Sequence, residues 1–240
     1  MVNDDGYGKP GLEALARVFE KRGDDVFIVA PSGERSGFSH SFSLGRELEV
    51  CKHGNGRYSI SGTPADAVVH ALRSTYFLSE KPDLVVSGIN RGYNIALDII
   101  YSGTCGAARE AVVSGVKGTA ISSELDGYEE AARYLCENID SFLSVLDDEH
   151  FLNINVPLSF NGKGAVTIPG KVEYIDKVEI RKDGEKEYLK LVGLDRRVEH
   201  YGCVMNDTEA VDLSYASVSL VPILPRTSDD AYEKLRKAMK

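Results

Sequence analysis

The chain has 240 residues, 42% of them hydrophobic, and a formal net charge of -9 at pH 7. This length and apolar content allow a sizeable core and argue against disorder. The acidic balance argues against binding to nucleic acid polymers or anionic membranes, and no apolar run approaches the ~20 residues of a membrane span.

Helical and extended patterns alternate along the first two thirds of the chain. In order, they predict a helix over residues 10–22, a strand over 26–30, strands over 47–53 and 57–61, a helix over 64–75, a strand over 83–90, a helix over 102–112, a strand over 119–123, a helix over 129–145 and a strand over 151–157. This alternation predicts an α/β fold, doubly wound and Rossmann-like, with a mainly parallel sheet.

The pattern changes after Pro157. Extended segments are predicted over residues 171–181, 188–192 and 217–224, followed by a short helix over 229–239. We therefore expect an α/β catalytic core over residues 1–157 and an antiparallel β C-terminal extension with a terminal helix over residues 158–240. Extensions of this kind often pair with a neighbouring subunit, so association with another chain is the hypothesis for this segment.

The four cysteines are far apart and include no CxxC pair: Cys51, Cys105, Cys136 and Cys203. With no secretion signal before the first motif, they predict reduced thiols and a cytoplasmic protein. The triplet Asn206-Asp207-Thr208 matches a glycosylation sequon, which has meaning only in a secreted protein, so we set it aside.

The acid pair Asp4-Asp5 is the strongest chemical feature of the chain. Ligands bind at the carboxyl ends of strands in α/β proteins, and adjacent carboxylates there suit Mg²⁺ or Mn²⁺. The alternative is a helix N-cap with a second acid favoured by the helix dipole. Only Met1, Val2 and Asn3 precede the pair, so the strand that it should terminate is nearly missing.

Three further loops lie at the same predicted edge of the sheet. Ser36 and Asn90 add compact oxygen donors to the acid pair, as a Mg²⁺ site requires. Ser102-Gly103-Thr104 opens a helix and predicts either an N-cap or a phosphate-binding nest. No P-loop sequence occurs, which removes the main support for a P-loop site.

Several motifs occur together in a specific order. They are Asn3-Asp4-Asp5-Gly6, Ala30-Pro31 with Glu34-Arg35-Ser36-Gly37 and Ser39-His40-Ser41, Gly62-Thr63-Pro64-Ala65-Asp66, Ser87-Gly88-Ile89-Asn90-Arg91-Gly92, Tyr101-Ser102-Gly103-Thr104 and Asn153-Ile154-Asn155-Val156-Pro157. In combination they resemble the SurE family of survival-protein nucleotidases.

This resemblance implies a phosphomonoesterase that uses one divalent metal ion, Mg²⁺ or Mn²⁺, to hydrolyse nucleoside 5′- and 3′-monophosphates. Some family members also act on short-chain polyphosphate, and members form dimers and tetramers through their C-terminal arms. The resemblance assigns the metal ligands to Asp4, Asp5, Ser36 and Asn90. It assigns phosphate binding to Asn94, Ser102, Gly103 and Thr104. Asp4 or Asp5 is expected to be catalytic, either positioning a water or attacking phosphorus.

Two other functions are compatible with an acid pair at a strand end. A phospho-acceptor module resembling a response-regulator receiver would need a lysine at a later strand end, where Ser122-Ser123-Glu124 stands. A ligand-binding or assembly protein with an inactive site would not need the complete set of oxygen donors. Tyr7 and Lys9 add bulk and positive charge beside the acids and are expected to affect substrate entry.

Overall fold

The computed structural model describes residues 1–193, 196–199, 204–225 and 228–239. Its helices are α1 Pro10–Arg22, α2 Pro64–Arg73, α3 Asp98–Tyr101, α4 Gly103–Val113, α5 Tyr128–Val145, α6 Asp207–Asp212 and α7 Asp229–Ala238. Its strands are β1 Ile28–Pro31, β2 Val50–Gly54, β3 Arg57–Ile60, β4 Leu84–Arg91, β5 Lys117–Ser123, β6 His150–Asn155, β7 Gly164–Thr167, β8 Lys171–Tyr174, β9 Lys177–Asp183, β10 Lys186–Val192, β11 Arg196–Glu199 and β12 Ala216–Pro222.

The largest sheet has the strand order β4-β5-β6-β12-β7. Strands β4, β5 and β6 are parallel, β12 is antiparallel to β6, and β7 is parallel to β12. The predicted doubly wound α/β fold is therefore confirmed. Two strands that follow residue 157 belong to this sheet, so the sheet crosses the expected domain boundary, and the division into two domains stays a prediction.

A two-residue segment joins this sheet to a second one, ordered β1-β3-β2. Val2 forms a parallel bridge with Ser87, and its N–H donates to the Val86 carbonyl at 3.0 Å. On the other side, Val29 N–H donates to the Met1 carbonyl at 3.1 Å. Met1 and Val2 thus bridge β1 and β4, and a cleft of about 930 Å³ lies beside them, between the two sheets.

Helices cover both faces of the sheets. Helices α1 and α5 bury residues such as Leu15, Phe19 and Leu135 against one face. Helices α2 and α4 bury residues such as Val68 and Ala107 against the other. With both faces covered, the parallel strands are buried on both sides, as their continuous apolar runs predict.

Helix α1 spans the predicted residues because its ends are encoded locally. Pro10 stands in the first turn, where its missing N–H costs no hydrogen bond. Gly23 ends the helix at φ 103, a left-handed conformation that glycine adopts without steric penalty. Its N–H donates to the Glu20 and Phe19 carbonyls, which satisfies the last turn.

The C-terminal segments differ in detail from the prediction. The single extended segment expected over residues 171–181 is two strands, because β8 ends at Tyr174 and pairs with β11, while β9 begins at Lys177 and pairs with β10. This expectation was wrong because apolar and charged side chains alternate on both sides of the break, so the break has no hydrophobic signature. Helix α7 confirms the predicted helix within one residue.

Three cysteines, Cys51, Cys105 and Cys136, are free thiols, as expected, while Cys203 lies outside the described residues. Within the described ranges, no helix is long and apolar enough to cross a membrane.

Candidate metal and phosphate site

The acid pair follows the short bridge between the two sheets. Because Val2 pairs with Ser87 in β4, Asp4 and Asp5 emerge at the carboxyl end of the parallel strands. The turn after them is braced by Asn3, whose side-chain oxygen accepts from Gly6 N–H at 3.2 Å and whose amide donates to the Gly6 carbonyl at 3.1 Å. Two residues of β pairing therefore suffice to fix the position of the acids.

Asp4 is buried against the N-terminus of α4. Its Oδ1 accepts from Thr104 Oγ1 at 2.8 Å, and its Oδ2 accepts from Thr104 N–H at 3.2 Å. Burial raises the pKa of Asp4 to about 6, the Thr104 hydrogen bonds oppose this rise, and the neighbouring charge of Asp5 adds to it. Asp4 is thus a helix-capping acid after all, but for α4, a helix 100 residues away in sequence.

Asp5 is half-buried and faces the loop that follows β4. Burial is the main cause that raises its pKa. A hydrogen bond from the Arg91 backbone N–H opposes the rise, and the charge of Glu34 adds to it. The contact with Arg91 places Asp5 beside Asn90.

Ser36 and Asn90 complete the predicted ligand set. Arg35 N–H donates to the Asp4 backbone carbonyl at 2.7 Å, which holds the Ser36 loop beside the acid pair. The Asn90 amide nitrogen donates to the Gly92 carbonyl at 2.8 Å, and no donor among the described residues contacts its amide oxygen. That oxygen is therefore available as a ligand. Ser36 is exposed, and its hydroxyl donates to Glu34 Oε1 at 3.3 Å.

These residues fit a hard divalent cation. In the described part of the chain, no group of three His, Cys, Asp or Glu side chains could hold a metal by itself. The predicted set comprises two carboxylates, one hydroxyl and one amide oxygen. All of these ligands are oxygen donors, which Mg²⁺ and Mn²⁺ prefer over nitrogen and sulfur. A bound cation would also offset the energetic cost of burying the negative charge of the Asp4 carboxylate.

The start of α4 carries the predicted phosphate residues. Ser102 is the N-cap, because its Oγ accepts from Cys105 N–H at 3.0 Å. Thr104 is fully buried, and its hydroxyl donates to Asp4. A Cβ added to Gly103 would lie 3.0 Å from Asp4 Cβ and 3.2 Å from Pro64 Cγ. Only glycine therefore allows Asp4 to approach the helix end this closely.

Asn94 is buried in the loop after β4. Its side-chain amide donates to Ser122 Oγ at 2.9 Å, and its backbone N–H donates to Asn155 Oδ1 at 2.8 Å. Its carbonyl accepts from the side-chain amides of Asn153, at 2.8 Å, and Asn155, at 3.1 Å. The ends of β5 and β6 thus fix the position of Asn94 in the loop.

Comparisons with known proteins agree with this geometry. A family profile described as "Survival protein SurE" matches residues 1–182. The chain belongs to the SurE family. It is 34% identical over 252 residues to a 5'-nucleotidase SurE of Parvibaculum lavamentivorans, covering 100% of this chain and 88% of that relative. It is 36% identical to the 5'-nucleotidase SurE of Sorangium cellulosum, covering 91% of this chain and 87% of the relative.

The fold of this SurE-family chain also matches a solved structure. The crystal structure of a SurE protein from Aquifex aeolicus aligns with a TM-score of 0.83 at 30% sequence identity, covering 100% of this chain and 98% of that one. The resemblance inferred from the sequence motifs is therefore confirmed.

Sequence reasoning missed the residues that support the site of this SurE-family chain. Ser122, Asn153 and Asn155 hold Asn94, although they do not belong to the predicted ligand set. The signal was present, because polar side chains at alternate positions of a buried strand need partners within the protein. The partners themselves could not be read from the sequence.

Tyr7 is close to the acid pair in sequence, and its expected effect on substrate entry stays a prediction. Its ring stacks on His53 with centroids 4.0 Å apart. His53 is in turn held by a contact between its Nε2 and Ser59 Oγ at 2.9 Å. Lys9, in contrast, lies close enough for its charge to lower the pKa of Asp5, against the larger effect of burial.

Proposed function

We propose that this protein is a divalent-metal-dependent phosphomonoesterase that hydrolyses nucleoside 5′- and 3′-monophosphates to nucleoside and phosphate. Its relatives are named 5'-nucleotidases. The observation that carries the proposal is the contact between Asp4 and Thr104, because it joins an acid pair suited to a cation with a helix N-terminus suited to an anion. Short-chain polyphosphate, which presents the same terminal phosphate, is a second candidate substrate.

Asp4, Asp5, Ser36 and Asn90 would hold one Mg²⁺ or Mn²⁺, which when bound offsets the charge of the phosphate and lowers the pKa of a bound water. The Thr104 hydroxyl fixes the orientation of the Asp4 carboxylate. Asp5 is more exposed than Asp4 and is the acid that can reach a substrate.

The N-terminus of α4 would receive the phosphate oxygens. The Gly103 N–H has no acceptor among the described residues, and the positive end of the helix dipole points the same way. The Ser102 oxygen accepts from Cys105 N–H at 3.0 Å, and its hydroxyl also contacts the Cys105 side chain. The hydroxyl proton would turn from this contact to a bound phosphate. Thr104 would act chiefly through Asp4, and Asn94 would complete the phosphate site.

Two hydrolytic routes are open to the acid pair. In one, Asp5 positions a water whose oxygen bonds to phosphorus as the ester P–O bond breaks, and the leaving nucleoside oxygen takes up a proton. In the other, an Asp oxygen bonds to phosphorus as the ester P–O bond breaks, and the leaving nucleoside oxygen takes up a proton. Water then hydrolyses the aspartyl-phosphate, which restores the carboxylate and releases phosphate. Acid quenching of a single turnover distinguishes them, because only the second route gives a phosphorylated protein.

The function is tested by phosphate release from a panel of nucleoside 5′- and 3′-monophosphates with Mn²⁺, with Mg²⁺ or with EDTA. We expect release that depends on the added metal and is absent in EDTA. Folded protein that releases no phosphate with either metal would exclude the enzyme and favour an inactive binding protein. The receiver alternative lacks its lysine, since buried Ser122 and Ser123 stand at the end of β5.

We also propose a homodimer or homotetramer formed through the C-terminal segment. Strands β9 and β10 form a hairpin that places Val178, Ile180, Leu189 and Leu191 on one face, at 60 to 73% exposure. Exposed apolar faces of this kind favour association with another chain. Light scattering should give a multimer for the native chain and a smaller species for Ile180→Asp. Glu179→Gln, on the opposite face, should leave the mass unchanged, and a monomeric native chain would contradict the proposal.

We propose a cytoplasmic location, with a nucleoside monophosphate as the partner molecule and neither a membrane nor a nucleic acid polymer. The net charge of -9 supports the exclusion of a membrane or nucleic acid partner, because such polyanions would be repelled. Fractionation of cells that produce the protein tests the location.

A further inference from the structure

The segment between Asn94 and Ser102 connects the two halves of the proposed phosphate site. Asn94 is fixed at one end by Ser122 and Asn155, and Ser102 at the other end caps α4. The residues between them connect these two fixed ends, and their conformation affects how each end is oriented.

The middle of this segment has an unusual backbone conformation. Ala96 has φ 50, in the left-handed region that residues with a Cβ rarely adopt, and it is buried. Such a conformation persists where surrounding contacts hold it. The chain changes direction here, immediately before the short helix α3.

The contact that holds Ala96 comes from the far end of the chain. Asp207 is fully buried, and its Oδ2 accepts from Ala96 N–H at 2.8 Å. Its Oδ1 accepts from Gly170 N–H at 2.9 Å and from Thr208 Oγ1 at 3.4 Å. A buried carboxylate needs such donors, because without them the charge would be costly.

The local structure places Asp207 where it can make this contact. Asn206 caps α6 through a reciprocal capping box with Glu209. Asp207 N–H donates to the Ile168 carbonyl at 3.0 Å, which fastens the start of the helix beside β7. A Cβ on Gly170 would lie 3.1 Å from Asp207 Oδ1, so the close approach of that backbone requires glycine.

A second side chain from the C-terminal part contacts the same segment. Tyr174 in β8 donates its hydroxyl to Asp98 Oδ2 at 2.5 Å. Two side chains from beyond residue 167 thus hold the segment that connects Asn94 to Ser102.

We propose that Asp207 is a positioning residue for the phosphate site, which holds Ala96 so that Asn94 and the Ser102–Gly103 helix end face the same phosphate. The proposal rests on the proposed function for the identity of the ligand. The triplet Asn206-Asp207-Thr208, which matches a glycosylation sequon, is fully buried and acts here as a support of the site.

The test compares Asp207→Asn with Glu209→Gln in the full-length chain. The asparagine side chain has one acceptor oxygen where aspartate has two, so it can accept from only one of the Ala96 and Gly170 N–H groups. Its NH₂ group would face the other N–H, and two donors do not form a hydrogen bond. Glu209→Gln weakens the capping box of the same helix without touching Ala96, so it controls for loss of stability in α6. Two quantities are measured: the inhibition constant of inorganic phosphate, and amide hydrogen exchange of residues 94–97 in the metal-free protein.

We expect Asp207→Asn to weaken phosphate inhibition by about tenfold, to raise KM more than it lowers kcat, and to speed exchange at residues 94–97. Glu209→Gln should lower Tm but leave the phosphate constant and that exchange near native values. Equal phosphate inhibition and equal exchange in the native chain and Asp207→Asn would overturn the proposal. A Glu209→Gln variant in which inhibition by phosphate is weakened to the same extent would also overturn the proposal.

Asp207→Ser provides a second variant of smaller volume if Asp207→Asn does not fold. Failure of the proposed function is recognised separately, because the native chain itself would then show no phosphate release and no inhibition. The exchange measurement still decides whether Asp207 orders the segment in that case.

Discussion

The Thr104 hydroxyl donates to Asp4 Oδ1 at 2.8 Å, across 100 residues of sequence. The same residue donates its backbone N–H to Asp4 Oδ2, so one threonine contacts both carboxylate oxygens. The contact makes the acid pair and the start of α4 parts of one site. Thr104 was expected to bind phosphate, and that role stays a prediction, but its observed partner is the acid.

Replacing Thr104 tests this contact. Thr104→Val keeps the volume but removes the hydroxyl, so the Asp4 carboxylate loses one of its two hydrogen bonds. We expect Mn²⁺ binding, measured by calorimetry, to weaken by about tenfold, since a hydrogen bond to a charged group contributes ~1.5–3 kcal/mol. Thr104→Ser keeps the hydroxyl and should bind the metal nearly as the native chain does. Equal metal affinity in the valine variant would show that Asp4 does not depend on Thr104.

Asp5 is the more exposed acid of the pair, and we propose that it is the one that reaches a substrate. Asp5→Asn should remove most turnover, by at least about a hundredfold, while Tm changes little, because the side chain is only half-buried. Phosphate release and a thermal melt measure both effects. Asp148→Asn, at an exposed position, is the matched control and should keep full activity. Full activity in Asp5→Asn would exclude both its ligand role and its catalytic role.

The pKa of Asp4 gives the site a defined pH dependence. In the folded, metal-free chain its pKa is raised from 3.8 to about 6, so the protonated form is favoured by folding. The free energy of unfolding should therefore fall as pH rises from about 4 to about 6, by roughly 3 kcal/mol, and change no further above that range. Metal affinity should follow the opposite course and weaken as pH falls below about 6, because the metal binds the carboxylate.

Chemical denaturation and Mn²⁺ titration at several pH values measure the two effects. Asp4→Asn should remove this part of the pH dependence, so the difference between it and the native chain isolates Asp4. A difference that does not vary between pH 4 and pH 7 would contradict the raised pKa.

Gly103 permits the close contact between Asp4 and α4. A Cβ at this position would lie 3.0 Å from Asp4 Cβ and 3.2 Å from Asp4 Oδ2. We expect Gly103→Ala to lower stability by ~1–3 kcal/mol, as overpacking does in a core, and to lower phosphate release by displacing Asp4. Urea denaturation and the phosphate assay measure these effects. Gly33→Ala adds its methyl to open space and should have neither effect, and normal activity in Gly103→Ala would show that Asp4 tolerates the shift.

Much of the fold follows from local signals. The prediction for α1 was correct at both ends because Pro10 and Gly23 encode them. The capping box between Thr63 and Asp66 likewise fixes the start of α2. In the C-terminal segment, apolar and charged side chains alternate in both β8 and β9, so no hydrophobic pattern marked the break between them.

The sequence by itself determined most of the helices and strands up to residue 157 in their order, the oxygen donors in the loops and the family. The order follows from periodicity and capping, which act over a few residues. Only the tertiary structure decided how those donors are held: that Val2 pairs with Ser87 of β4, that Thr104 orients Asp4, and that Asp207 holds Ala96. These contacts join residues at least 85 positions apart, and they depend on which strands become neighbours, which local periodicity does not specify.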